Sequence, residues 1–316
     1  MSSAVSGRPL LAPWYRIVGD GERLLLEHAR SVVVLEGAAV RALLPRLLPL
    51  LDGTRTVCEL AERLGAGARP ALDAALEVLA AQGLLVEGPD VAPSDRPAAH
   101  AAAAAYGLSP AAAAERIAGT SVGVIGSAAA GDTVARLLHS GGVPDVRRLS
   151  WRGGRAVDLA VVAPDRDELD AVPAWNHHAL EHGIRWLQLR PFDGLIATVG
   201  PLIVPGESCC HECLLQRFAA NSDYAGDFAE VESAPIAARP DAALDLLTAA
   251  LAAHLALRWV VGRDTTLPGL LHVIEVRPSL TLTVHEVLRV PRCGVCSASG
   301  RIAPLLPWHE AGAEAA

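Results

Sequence analysis

The stretch Gly200-Pro-Leu-Ile-Val-Pro-Gly-Glu-Ser-Cys-Cys-His-Glu-Cys213 finds its counterpart downstream in Cys293-Gly-Val-Cys296. Each half holds a C-x-x-C clip, Cys210/Cys213 and Cys293/Cys296. Two residues between sulfurs let one short turn present both thiolates to a single ion, and two clips supply the four sulfurs of a tetrahedral zinc site. Four sulfurs leave no open coordination position, so the spacing points to a structural metal and not to a catalytic one. Disulfides fit less well, because the opening residues lack the apolar core of an export signal. Four of six cysteines in metal spacing suit a reducing cytoplasm.

Composition bounds the rest. The 316 residues allow two domains of ordinary size. Hydrophobic residues make up 51% but aromatics only 4%, so the cores must be built from Ala, Leu and Val. A formal charge of -8 argues against nucleic acid as the main partner. No apolar run of the length needed to cross a bilayer stands out, so no membrane segment is expected. Met1 to Pro9 reads as a short disordered arm. The chain has no lysine; its 27 basic residues are all arginine. That removes Schiff-base chemistry and any lysine that steadies ATP phosphates.

Outward from the clips, residues 1–90 read as a small module. Trp14–Val18, Arg23–Glu27 and Ser31–Leu35 are strand candidates, the first two joined through Gly19-Asp-Gly21. A helical face follows at Val40, Leu43, Leu44, Leu47 and Leu51, with Pro45 kinking it. Thr56 and Glu59 form a capping box for a second helix to Leu64, whose apolar face is expected to include Cys58. A third helix runs from Pro70 to Gln82 with Leu72, Leu76 and Leu79 inward, and Leu84–Glu87 is extended. Three strands and three helices make a winged-helix-like module over residues 10–88. The third helix carries Asp73 and Glu77 and no basic residue after Arg69, which disfavours a phosphate-reading helix.

Residues 89–117 read as a Pro/Ala-rich linker ending in two short helices that dock on the next domain. From 118 to 316 strands alternate with helices. Thr120–Gly126 is a buried strand leading through a glycine turn, with Gly123, Gly126 and Gly131, into a helix over 127–140. Asp145–Ser150 and Asp158–Ala163 are further strands, with a helix expected from Pro164. The carboxylate that usually follows the second strand to bind a ribose is missing from Ser150–Arg155. Ile184–Leu189 and Ala197–Val204 are strands, Arg217–Pro240 a long crossover loop, and Asp241–Val261 a long helix. A hairpin, His272–Val276 and Leu280–His285, leads to the second clip. His177, His178 and His182 read as a solvated helix face, and Cys209 as a spare thiol.

Two resemblances follow from these motifs. The run from Leu51 to Leu64, after Val33–Gly37, resembles the leader-peptide recognition element of ribosomal-peptide biosynthesis. Gly200–Gly206 with its two clips resembles the ThiF/MoeB-type adenylating fold. The combined arrangement resembles the ocin-ThiF-like (cyclodehydratase C/F-type) proteins of azole- and azoline-peptide biosynthesis. That resemblance implies an α/β architecture in which a winged-helix-like module precedes a zinc-stapled, Rossmann-type domain. It places structural zinc on Cys210, Cys213, Cys293 and Cys296. It implies that a precursor peptide's leader adds as an extra strand beside the third strand, and that a separate YcaO protein performs the ATP-dependent cyclisation of Cys, Ser or Thr. Related folds commonly dimerise, so a homodimer is also an expectation. Adenylating members use the missing acid and a lysine, so ATP binding by this chain is not expected.

Strand addition would place the leader at Val32, Val33 and Val34, packed towards Arg69, Leu72, Asp73, Leu76 and Glu77. The expected function is a cytoplasmic scaffold with no catalytic residue of its own. Its rivals are an ATP-dependent adenylyltransferase acting on a peptide and a winged-helix DNA-binding regulator.

Overall fold

The computed structural model describes residues 7–19, 22–65, 67–89, 97–153 and 156–297. Most of the expected arm, the turn residues Asp20 and Gly21, Pro93 of the linker, and Gly154-Arg155 lie outside the described residues. Packing divides the chain into two compact units, Met1–Gly119 and Thr120–Ala316.

In the first unit, β1 (Pro9–Leu11) pairs antiparallel with β5 (Leu85–Glu87). Pro9, assigned to a disordered arm on its polarity, is therefore a buried strand residue. β2 (Arg16–Gly19), β3 (Arg23–His28) and β4 (Ser31–Glu36) form an antiparallel sheet in that order. Between β4 and β5 lie α1 (Ala38–Ala42), α2 (Leu44–Leu47), a 3-10 turn over Leu48–Leu50, α3 (Val57–Leu64) and α4 (Arg69–Ala81). Pro45 splits the first helical stretch, as its ring requires. At α3 the capping box is complete: Thr56 Oγ1 accepts from Glu59 N–H, and the Glu59 carboxylate accepts from Thr56 N–H at 2.7 Å.

Leu26, Leu47, Leu60, Leu72 and Leu79 meet in one leucine core. Cys58 is not part of it. The buried face of α3 is Leu60 and Leu64, backed by Val57 and Ala61, and Cys58 lies one residue off that stripe in solvent. After the linker come α5 (Pro97–Tyr106) and α6 (Pro110–Ala118), with Ser109 capping α6. Both group with the first unit.

The second unit is built on a seven-stranded mixed sheet. Its chain order is β6 (Ser121–Ile125), α7 (Ala129–Ser140), β7 (Asp145–Arg148), β8 (Leu159–Val162), α8 (Val172–His182), β9 (Trp186–Arg190) and β10 (Ile196–Ile203). Then follow α9 (His211–Ala220), α10 (Phe228–Ser233), α11 (Ala242–Val260), β11 (Leu270–Glu275) and β12 (Thr281–Glu286). The spatial order is β12-β11-β10-β9-β8-β6-β7. β6 to β9 pair in parallel, and β10 to β12 are antiparallel.

Two expectations need correction. The helix expected from Pro164 begins at Val172, after a loop and a 3-10 turn over Leu169–Ala171, because the loop is tied back to the β6 turn by Glu168. The crossover stretch is not all loop: α9 runs on to Ala220, and α10 interrupts the remainder. One described helix, the 19-residue α11, is long and apolar enough by composition to cross a membrane, with mean hydropathy 1.4 over an 18-residue window. Asp245, Thr248, His254 and Arg258 interrupt its apolar residues, so no unbroken run stood out at the sequence level. Its residues Ala249, Ala252 and Ala256 are buried within the unit, where α11 packs on α7 and the sheet.

Candidate functional site

The two clips meet. Cys210 is the N-cap of α9 and Cys213 lies in its first turn, so both thiols sit at the positive end of the helix dipole. Cys293 and Cys296 lie on the turn after β12, where Cys293 N–H donates to Val290 O and Ser297 N–H to Cys293 O. The sulfurs of Cys210, Cys213, Cys293 and Cys296 all lie within 4.8 Å of one another. The Cys210–Cys213 and Cys210–Cys293 separations are 3.8 Å, and Cys213–Cys296 is 3.5 Å. A zinc ion at about 2.3 Å from each of four sulfurs has S–S edges of about 3.8 Å. The four cysteines can therefore hold a tetrahedral metal ion. Three are buried and Cys296 is half-buried. Cys209 is outside the group, and burial pushes its thiol up to about 12, so it stays protonated.

Two arginines brace this cluster: Arg289, which sequence reasoning left unused, and Arg217, which with Asn221 was expected either to line a partner groove or to cap a helix. Arg289 Nη1 donates to Gly206 O at 2.9 Å and Nη2 to Cys296 O at 2.7 Å. Arg217 Nε donates to Leu288 O at 2.7 Å. Asn221 Nδ2 bonds Arg217 O and so caps the end of α9. Val290 N–H points at Cys213 Sγ, 3.4 Å away, the kind of backbone bond that steadies a thiolate.

In the first unit, β4 pairs only with β3 among the described residues, so its other edge is open. Val33 lies opposite Leu26 and packs on the leucine core. Val32 and Val34 project from the other face, 52% and 49% exposed. Leu72 and Leu76 are core residues beneath α4, not surface residues. Truncating either to Ala costs about 2–5 kcal/mol of stability, so such variants report folding before binding. Arg69 and Asp73 form an exposed pair at 2.8 Å, and Glu77 is exposed on the same helix. Solvent screens an exposed pair of this kind and leaves it weak, so both charges can be redirected to a ligand.

The glycine turn after β6 is filled by the chain itself. Gly126 has φ +95°, and an added Cβ would strike Ala163 O, so β6 and β8 approach closely here. Glu168 accepts from Ser127 N–H at 2.7 Å and from Asp165 N–H at 2.8 Å, so its carboxylate already takes backbone donors from the two loops that meet at this turn. Arg148, which closes β7, donates to Gly126 O and lies 3.4 Å from Asp132. The cavity left at this end of the sheet, bordered by Ala128, Asp165, Arg190 and Thr248, is about 260 Å3. That is below the roughly 300–1,000 Å3 usual for small-molecule sites.

Burial tends to raise the Glu168 carboxyl, but the bonds from Asp165 and Ser127 outweigh it and hold it below its ordinary value of 4.5. A lowered folded pKa gives stability that is present above the ordinary value and lost as pH falls through the folded one. The Tm difference between the parent protein and Glu168→Gln is therefore expected to be largest near about pH 7 and to shrink below about pH 4. A difference that is constant across that range would show that these two bonds do not hold the carboxylate.

No protein-family model and no curated protein sequence matches the chain. Solved structures do. A heterocyclase in complex with substrate and cofactor shares 22% identity and a TM-score of 0.70, over 92% of this chain and 39% of its own. The heterocyclase TruD shares 25% identity and a TM-score of 0.72, over 92% and 43%. The microcin C7 biosynthetic enzyme MccB, in complex with N-formylated MccA, shares 14% identity and a TM-score of 0.62, over 92% and 99%. MccB of E. coli has also been solved with ATP. The chain thus spans about two fifths of the length of the heterocyclases and nearly all of MccB. It has the fold of these heterocyclases and of MccB, as the sequence resemblances implied.

Proposed function

We propose that the protein binds the leader of a ribosomally synthesised precursor peptide and presents its core to a separate YcaO cyclodehydratase in the cytoplasm. The observation that carries this reading is the open edge of β4, whose inner residue Val33 is seated on the core that also anchors α4. An added strand gains backbone hydrogen bonds there, and the side chains around α4 supply selectivity. Zinc at the four cysteines is the structural element of the second unit in this reading. The protein is a partner subunit and forms no bond in the substrate itself.

The end-to-end match to MccB favours a second reading, a peptide adenylyltransferase. Against it stand the absence of lysine, the absence of an acid from Ser150–Arg155 after β7, and Glu168, whose carboxylate takes the Ser127 and Asp165 N–H groups at the glycine turn. Pyrophosphate release separates the two. The isolated protein with ATP and the precursor peptide is expected to stay at background, while adding the YcaO partner gives peptide-dependent ATP turnover. Pyrophosphate exchange above background by the protein alone establishes the adenylyltransferase instead.

A further inference from the structure

Arg190 on β9 and Thr198 on β10 are cross-strand neighbours. Thr198 is only 3% exposed, and its hydroxyl has no hydrogen-bond partner. Arg190 pairs through Nη2 with Glu232 at 2.5 Å and lies over the Phe218 ring, 5.1 Å from its centroid. Its Nη1 is buried and also lacks a partner. A buried polar group left without a hydrogen-bond partner is costly, so two adjacent ones are informative. Both residues border a cavity of about 420 Å3 between the sheet and the segment after α9. Its far wall is aromatic: Tyr224 stacks on Phe228 with centroids 6.1 Å apart. Asp193, Asp223 and Glu232 also border it, three carboxylates against the single guanidinium of Arg190.

We propose that this cavity binds an uncharged peptide amide bearing an apolar side chain. The carbonyl oxygen accepts from Arg190 Nη1 and Thr198 Oγ1, the two donors without partners. The apolar side chain lies against Phe218, Tyr224 and Phe228. An anionic ligand is rejected, because Glu232 already neutralises Arg190 and the remaining carboxylates repel a further negative charge. The volume falls within the range usual for small-molecule sites, roughly 300–1,000 Å3. The site lies wholly in the second unit and does not depend on leader binding at β4, so either can fail without the other.

Calorimetric titration of the full chain with N-acetyl-phenylalanine amide, and with N-acetyl-phenylalanine as the carboxylate control, tests it. Saturable binding of the amide is expected, with the carboxylate at least about tenfold weaker. Thr198→Val keeps the shape and deletes the hydroxyl. It is expected to weaken the amide about fivefold, and to raise the Tm of the free protein by removing an unpaired buried group. No saturable binding of the amide, equal binding of the carboxylate, or unchanged affinity in folded Thr198→Val overturns the proposal. Should Thr198→Val not fold, Asp223→Asn on the exposed segment decides: discrimination against the carboxylate is expected to narrow, and unchanged discrimination overturns the charge argument.

Discussion

Cys210→Ser is expected to release the metal and lower the Tm of the second unit by about 10 °C or more. Metal bound by a preformed set of thiolates contributes its binding free energy to folding, about 10–16 kcal/mol in isolated zinc peptides. Losing one of four sulfurs forfeits part of that, several kcal/mol. A domain of this size shifts its Tm by about 2–4 °C per kcal/mol. Cys296→Ser, at the half-buried corner of the cluster, is expected to act in the same direction. Cys58→Ser is the control, since Cys58 lies exposed in the other unit. The parent protein and the control should carry one zinc per chain by elemental analysis, and the two cluster variants well below that. Folded parent protein without zinc, or Cys210→Ser with its full complement, removes the metal from the account.

The second large effect is expected at β4. Val33→Pro deletes a backbone N–H and bends the strand. Binding of a fluorescent synthetic leader to the full chain should weaken at least about tenfold if the leader adds as a strand. Val33 also packs on Leu26 and the leucine core, so circular dichroism must first show the variant folded. The paired substitution Val32→Thr with Val34→Thr separates edge from face. Both side chains point away from the core, and their removal should change leader affinity less than about twofold. A folded Val33→Pro that binds normally moves the leader elsewhere. A large loss in the threonine pair makes the outer face, and not the strand edge, the binding surface.

Local chemistry was the readable part of this sequence. Thr56 and Glu59 are three residues apart, and their reciprocal bonds need no other part of the chain. The C-x-x-C spacing is equally local, and it named all four sulfurs that converge. Helix phase was less secure. Cys58 sits beside Val57 in a short helix, and only the position of Leu60 and Leu64 in the finished core decides which of the two turns inward. Long-range partners had no signature. Glu168 reaches Ser127 across 41 residues, and Arg289 reaches Gly206 across 83. The pairing of β1 with β5 joins the two ends of the first module, and nothing in Pro9–Leu11 announces it. Arg190 and Thr198 looked like ordinary strand residues; their unpartnered donors become visible only once the sheet places them side by side.

The spacing of the clips has a temporal consequence. Cys210 and Cys293, 83 residues apart, close one large ring, while the leucine core around α4 is complete by Leu84. Ribosomes add about 5–20 residues per second. The first unit can therefore finish folding while the residues between Gly119 and Cys296 are still being synthesised, about 10–35 seconds of elongation. On the proposed function, a nascent chain would acquire its grip on a leader before it could bind its metal. Shortage of zinc in the cell would then leave protein that still sequesters precursor but cannot complete its second unit, turning a helper of the pathway into a competitor for its substrate.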